Sequence, residues 1–168
     1  AKQALSLMSG SILEAVHNGS NLEARSNMLL GAMMAGQSFA NSPVAAVHAL
    51  AYPLGGHYHI PHGLSNSLVL PHVLRFNAPE ASDLYAQLLP FMEGCDTADK
   101  AAGCDGFINY MDQLITKVEL PKRLKAMDIA ENDLPMLADD AMLQQRLLVN
   151  NPRDVSREDA LAIYQAAY

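Results

Sequence analysis

The sequence is poor in cysteine and in basic residues, and both shortages limit what it can do. Its 168 residues contain two cysteines, Cys95 and Cys104, whose spacing matches neither a disulfide scaffold nor a CxxC metal knuckle. We therefore expect a reducing, cytoplasmic environment. The 11 Lys and Arg residues are scattered and the formal net charge is -7, so the clustered cations that nucleic-acid phosphates need are missing. This composition argues against nucleic acid as a partner.

Long apolar runs and glycine-rich phosphate loops are missing as well. No uninterrupted apolar run reaches the roughly eighteen residues of a membrane-spanning helix, and the first residues lack the basic region and solid apolar stretch of a secretion signal. We therefore expect no membrane partner. No GxGxxG or GxxxxGK[ST] pattern follows a strand, so these residues offer no glycine-rich cradle for a nucleotide phosphate. No GxSxG nucleophile elbow is present either.

The pattern that is present is helical throughout. From Leu5 to Val16, and again from Leu22 to about Ala40, apolar residues recur at three- to four-residue intervals. Gly31 and Gly36 inside the second segment suggest close approach of another backbone, so we predict a buried central helix there. No alternating strand pattern is longer than about four residues, and half of the residues are apolar. We predict one all-α domain over residues 1–168.

Prolines and caps place the other helix boundaries. We expect Ser42-Pro43 to start the third helix, Pro53-Leu54-Gly55-Gly56 to end it, and Pro61 to start the fourth, with a kink at Pro71. Further helices are predicted over residues 81–92, 98–118, 121–126 and 131–148, then a turn at 150–153. Ser156 is predicted to cap the last helix, which ends at Tyr168, with Asp159 in a capping-box position.

Four of the six histidines lie between residues 46 and 63. His48 and His62 fall at the predicted end of one helix and start of the next, where two imidazoles can share a metal ion. This spacing alone does not separate metal ligands from histidines that satisfy hydrogen bonds. A catalytic divalent site needs three or more protein ligands, and zinc or ferrous iron accepts imidazole and carboxylate together. His57 and His59 are further candidates, and other ligands must come from elsewhere.

Adjacent acidic pairs occur at Asp139-Asp140 and Glu158-Asp159. Neighbours in a helix diverge by about 100°, so we interpret both pairs as solvated surface.

The run VHALAYPLGGHYHIPHGLSNSLVLPHVLRFN, residues 47–77, is part of a longer segment from Gly36 that resembles the signature region of the iron-containing (group III) alcohol dehydrogenases. It is nearest to the lactaldehyde reductase or propanediol oxidoreductase-like members. The C-terminal residues Asn151-Pro152-Arg153 and Glu158-Asp159 also resemble the end of that family. The resemblance implies the multi-helix C-terminal domain of the dehydroquinate synthase-like fold. An N-terminal NAD(P)-binding domain would precede it.

The resemblance also implies a ligand set. In the family an Asp and a His one helical turn apart, upstream of the signature, bind the metal with two signature histidines that correspond to His48 and His62. No Asp is followed by a His four residues later here, and the chain begins at Ala1 without an initiating Met. We therefore expect a longer protein to supply that pair and the cofactor-binding turn, with the 168 residues inactive alone.

Tyr52 stands where many family members carry a histidine near the nicotinamide and the substrate. A phenol has a reference pKa near 10 against about 6.5 for imidazole, so the relay role assigned to that histidine is open here. His57 or His59 is the alternative source of an imidazole. By resemblance, Phe39, His57 and Leu147 are expected to line the alcohol pocket.

The implied activity is an NAD(P)-dependent alcohol dehydrogenase, in which Fe²⁺ or Zn²⁺ acts as a Lewis acid and hydride passes from the alcohol to the nicotinamide. The implied partners are a small alcohol or aldehyde, the N-terminal domain of the same protein, and a second subunit in a homodimer. Two alternatives stay open. One is a stand-alone helical metal-binding module using His48, His62 and either His57 or His59, and the other is a structural or oligomerisation domain.

Overall fold

A computed structural model describes residues 1–95 and 102–168. Within these residues the chain forms helices, turns and irregular segments without a β-strand, which confirms the predicted all-α class. The α-helices are α1 Lys2–Ser9, α2 Ile12–His17, α3 Leu22–Asn41, α4 Ala46–Tyr58, α5 His62–Ala86, α6 Gly103–Lys117, α7 Leu134–Met142, α8 Gln145–Leu148 and α9 Arg157–Ala167. Short 3₁₀ helices cover Leu89–Phe91, Leu124–Met127 and Glu131–Asp133.

The helices group into two compact units. The first unit comprises Ala1–Pro43 and Ser82–Val118, and the second comprises Val44–Ala81 and Glu119–Tyr168. The second unit contains the histidine segment, because α4 and the start of α5 belong to it. That residues 1–168 form a single domain stays a prediction.

In the first unit, α3 packs on α1 and α2. A Cβ on Gly31 would collide with the Met8 side chain, so this glycine permits the close approach of α1 that the sequence indicated. The prediction of a buried central helix is nevertheless wrong. Only Ala24 and Gly31 of α3 are buried, because its neighbours in the structure cover one side of the helix alone.

The helix α4 extends further than its sequence suggested. It begins at Ala46 rather than at Ser42-Pro43, and it continues through Pro53 and two glycines to Tyr58. A proline inside a helix removes one backbone hydrogen bond and costs about 3 kcal/mol. Burial offsets this cost, since Ala49, Leu50 and Leu54 on this helix are all fully buried. The predicted end at Pro53–Gly56 is therefore wrong.

Two further boundaries differ from those predicted. The helix α5 runs without a break from His62 to Ala86, through Pro71 and Pro79, so the separate helix predicted from residue 81 belongs to it. The helix predicted over residues 131–148 is divided into a 3₁₀ turn, α7 and α8. Leu143 at the break is exposed, so no packing favours helical continuation there. The predicted helix over 98–118 begins at Gly103 among the described residues, and residues 96–101 lie outside them.

The core of the second unit forms where α4 packs against α7 and α8, and where α7 packs against α9. Tyr164 of α9 is fully buried in this core, and its hydroxyl donates a hydrogen bond of 2.6 Å to the carbonyl oxygen of Leu50. Burial raises the pKa of Tyr164 well above that of a free phenol, with a smaller contribution from the charge of Asp140. The Tyr164 hydroxyl therefore stays protonated as a hydrogen-bond donor, and its bond to the Leu50 carbonyl oxygen links α9 to α4.

The start of α9 carries the predicted capping box. The backbone N–H of Asp159 donates to Ser156 Oγ at 3.1 Å, and the backbone N–H of Ser156 donates to Asp159 Oδ2 at 3.0 Å. The Ser156 hydroxyl also donates to the same carboxylate oxygen. These bonds lower the pKa of Asp159, the side-chain hydroxyl contributing most.

We predict that Tyr164→Phe destabilises the chain by about 1–2 kcal/mol, because it deletes a buried hydrogen bond and leaves the Leu50 carbonyl oxygen without this donor. Urea unfolding followed by circular dichroism measures the change. Tyr58→Phe serves as the comparison, because it removes a tyrosine hydroxyl that bonds the Asp133 carboxylate in a less buried place. An unchanged urea midpoint for Tyr164→Phe would contradict the prediction.

We predict that Asp159→Asn destabilises the chain more at pH 7 than at pH 3. The folded-state pKa of Asp159 is depressed, so its stabilising contribution is present above the unfolded-state value near 4 and is lost as the pH falls through the folded-state value. Thermal melts at both pH values test this. Glu158→Gln removes a charge from the same helical turn without a bond to Ser156, and its effect should be only a few tenths of a kcal/mol.

Candidate metal centre

The imidazole rings of His48 and His62 lie next to each other. Their centroids are 5.2 Å apart and their planes are inclined by 53°. His48 projects from the first half of α4, and His62 is the first residue of α5. The structure therefore brings together the two histidines that the sequence singled out.

A chain reversal after α4 produces this proximity. His59 adopts the left-handed conformation, with φ 55°, and its N–H bonds the carbonyl oxygen of Gly55 at 3.1 Å, which closes the helix. From Tyr52 to Tyr58 the helix rises by about 9 Å, and after the reversal at His59 the two residues Ile60 and Pro61 lead the chain back along it. His62 thus comes back to the level of Tyr52, whose ring centroid lies 5.9 Å from its own.

The start of α5 is held by backbone and side-chain bonds. The N–H of Ser65 donates to the Pro61 carbonyl oxygen at 2.9 Å, and the buried Ser65 hydroxyl donates to the Ile60 carbonyl oxygen at 3.2 Å. Proline before the first helical turn fixes the backbone there. These contacts fix where the His62 backbone lies.

The protonation state of His48 suits a ligand. Partial burial lowers the pKa of His48, and the neighbouring His62 lowers it further. At neutral pH the ring is therefore biased toward the neutral form, which has a free lone pair. A divalent cation is bound by that form of histidine.

Asn66, one turn after His62, is the next polar group in this region. Its Nδ2 lies 3.0 Å from His62 Nε2, so the amide restrains the orientation of that ring. Its Oδ1 is buried and has no hydrogen-bond partner in the structure, and the same holds for Ser67 Oγ. Buried polar atoms without partners are uncommon and often mark the place of an ion, a water or a ligand. The donor chemistry of this region therefore fits a borderline metal ion such as zinc or ferrous iron.

The ligand set among the described residues stops at two imidazoles. Over residues 1–95 and 102–168, no three His, Cys, Asp or Glu side chains converge into a group that could hold a metal ion. A catalytic ion needs at least one more protein ligand than His48 and His62 provide.

His57 faces away from this pair. Its Nε2 contacts Asp140 Oδ2 of α7 at 2.5 Å, and the next residue, Tyr58, donates its hydroxyl to Asp133 Oδ2 at 2.6 Å. Burial, followed by the Asp133 carboxylate, raises the pKa of Tyr58 to about 12. Sequence reasoning missed both pairs, because their partners are 83 and 75 residues apart. His57 therefore joins α4 to α7 in this structure.

The acidic residues of α7 are more engaged than the sequence suggested. Asp139 forms an ion pair with Arg157, which lowers the pKa of the carboxyl through the hydrogen bond and the charge. Asp140 binds His57, and Asp159 belongs to the capping box. Asp139-Asp140 and Glu158-Asp159 lie at the surface, exposed or half-exposed, as we interpreted them from the sequence, and three of these four residues also form specific bonds there.

The other candidate pocket residues lie in different places. Phe39 is exposed near the end of α3 in the first unit. Leu147 is buried in the core of the second unit. His59 is exposed at the left-handed position after α4. A role for Phe39, His57 and Leu147 in an alcohol pocket stays a prediction.

Among the helices that the structure describes, none combines the length and apolarity that crossing a membrane requires.

Comparison with known proteins gives a consistent result. The model of the Fe-containing alcohol dehydrogenase family, C-terminal part, matches residues 1–168. Long-chain-alcohol dehydrogenase 1 of Geobacillus thermodenitrificans is 37% identical over 169 residues, which is 100% of this chain and 43% of that protein. A 1,3-propanediol dehydrogenase of Citrobacter freundii is 34% identical over 172 residues, with the same two coverages.

A solved structure agrees with these relatives. The crystal structure of a 1,3-propanediol oxidoreductase superposes with a TM-score of 0.94 at 32% identity, over 99% of this chain and 44% of that one. The chain thus spans less than half the length of the curated relatives that it matches. With its all-helical fold and its paired histidines, the chain belongs to the Fe-containing alcohol dehydrogenase family and corresponds to the C-terminal part of that family.

Proposed function

We propose that this chain is the metal-binding part of an NAD(P)-dependent alcohol dehydrogenase, which interconverts a small alcohol and the corresponding aldehyde or ketone. The observation that carries the proposal is the 5.2 Å approach of the His48 and His62 rings, each projecting from a different helix. Membership of the Fe-containing alcohol dehydrogenase family supports the same proposal. NAD(P) would be bound mainly by residues outside this chain, which is less than half as long as its relatives.

His48 and His62 would hold the metal ion as neutral imidazoles, and the remaining ligands would come from the rest of the full-length protein. When bound, Fe²⁺ or Zn²⁺ would supply a Lewis acid toward the alcohol or carbonyl oxygen. Asn66 would help to keep the His62 ring in its orientation, since its amide nitrogen lies 3.0 Å from His62 Nε2. The buried side of α4 would exclude water from behind the site.

Tyr52 would contribute a hydroxyl beside the two histidines. It lies one helical turn after His48, its ring is adjacent to His62, and its side chain is partly exposed. A phenol hydroxyl both donates and accepts hydrogen bonds. Tyr52 would therefore orient the substrate oxygen or pass its proton to solvent, in place of the histidine that many relatives carry there.

Two finer statements belong to the same proposal. The free thiols of Cys95 and Cys104 support a reducing, cytoplasmic location. The full-length protein would also form a homodimer, as the family resemblance implies.

We predict that His48→Ala and His62→Ala in the full-length protein each weaken metal binding by more than about 100-fold, since even partners behind the ligands contribute 10- to 100-fold. Isothermal titration with Zn²⁺ and elemental analysis of the purified variants measure the loss. Dehydrogenase activity should fall in parallel. Retention of a full metal complement by either variant would contradict the assignment.

His57→Ala is the matched control, because it removes an imidazole from the same helix while leaving the His48 and His62 pair in place. It should retain the metal. The same titration on the 168-residue chain distinguishes the alternatives. Tight binding that is lost in the His48, His62 and either His57 or His59 variants would indicate a stand-alone module. A melting temperature insensitive to metal, together with no binding by the full-length protein, would indicate a structural domain.

We predict that Tyr52→Phe in the full-length protein lowers kcat by about 10²-fold, the usual contribution of a positioned proton-transfer group. Its metal content should not change. Tyr52→His should recover part of the activity, because imidazole can also relay a proton. Steady-state kinetics on protein with verified metal content measures both effects, and an unchanged kcat for Tyr52→Phe would remove Tyr52 from the mechanism.

A further inference from the structure

Helix α3 is apolar on two opposite sides, and the structure covers one of them. Ala24 and Gly31 form the covered side, which packs on α1. On the other side, Leu22 is 73% exposed, Leu29 76% and Met33 51%. At 100° per residue these three side chains fall within an arc of about 40°. We call Leu22, Leu29 and Met33 the open face of α3.

The open face has the chemistry of a buried surface. Ala40, at the same angle as Leu22, extends it and is exposed too. Ser26 lies beside it, about 40° from Leu22, and its hydroxyl donates to the Leu22 carbonyl oxygen at 2.7 Å, so this donor is already satisfied within the helix. An apolar stripe along a helix normally faces a core or a partner, and clustered exposed apolar side chains mark an interaction site. The open face therefore lacks a partner.

We propose that the open face of α3 is the docking site for the polypeptide that precedes Ala1 in the full-length protein. This inference rests on the proposed function, in which the chain is part of a longer dehydrogenase. Ala1 lies beside α3, since its backbone nitrogen is 2.7 Å from Ser38 Oγ. The family match is to the C-terminal part, and the relatives are more than twice as long. A preceding segment thus reaches the chain beside the C-terminal end of α3.

The size of the open face favours a covalently attached partner over a second copy of the chain. Helix α3 has 20 residues, hence a length of about 30 Å. A stripe roughly 10 Å wide along it offers on the order of 300 Å². A stable dimer buries about 800 Å² per partner. A segment of the same chain needs less contact, because its effective concentration is in the millimolar range.

Thiol labelling tests the proposal directly. The thiol introduced by Leu29→Cys should react with a maleimide at the rate of an exposed cysteine in the 168-residue chain, and at least tenfold more slowly in the full-length protein. Leu143→Cys is the matched control, because Leu143 is also 76% exposed and lies outside α3. Peptide mass spectrometry separates these positions from Cys95 and Cys104. Equal rates at position 29 in both proteins would overturn the proposal.

Stability provides an independent measurement. The double substitution Leu29→Gln and Met33→Gln keeps helix propensity, so the melting temperature of the 168-residue chain should shift by no more than a degree or two. In the full-length protein it should fall by about 5 °C or more. A dimeric 168-residue chain that protects the position-29 thiol would overturn the proposal in favour of a second copy. Neither measurement needs bound metal or enzyme activity, so a failure of the proposed function can be distinguished from a failure of this docking proposal.

Discussion

The orientation of helix α4 is the constraint on which the histidine site depends. Ala46 and Leu50 are fully buried on one side of this helix, and His48 and Tyr52 lie about 120° to 160° around its axis from them. The Tyr164 hydroxyl holds the Leu50 carbonyl oxygen from α9, and His57 and Tyr58 contact the acidic side chains of α7 and the turn before it. Since the buried side cannot rotate without opening the core, the opposite side presents its histidine and tyrosine in a fixed direction.

Local sequence chemistry determined some helix boundaries, whereas others depend on contacts between residues that are distant in sequence. The capping box at Ser156 and the start of α5 after Pro61 depend on residues within one helical turn, so the sequence alone predicted them. The continuation of α4 through Pro53 depends on packing against residues about 75 to 115 positions away. No local pattern reports that packing, which outweighs the proline penalty.

In the candidate site, too, some features could be predicted from local sequence and others depend on tertiary packing. The pairing of His48 with His62 was predictable, because two prolines and a short reversal limit where fourteen residues can go. The detailed route was not, since the chain turns at a left-handed histidine rather than at the glycines. The partners of His57 and the unpaired amide oxygen of Asn66 arise from tertiary packing, and no spacing in the sequence indicates them. The exposure of α3 could not be predicted from the sequence either, because the pattern of an apolar helix is the same whether or not its packing neighbours are present.

The two-sided character of α3 bears on the order in which the protein is made. Ribosomes release a chain from its N-terminus, and domains tend to fold in that order. If an earlier part of the polypeptide is already folded when α3 emerges, Leu22, Leu29 and Met33 meet a waiting surface instead of water. A chain synthesised from Ala1 onward has no such surface, and these three side chains then stay in contact with water. The position of α3 in the sequence would then favour its packing against the earlier polypeptide during translation.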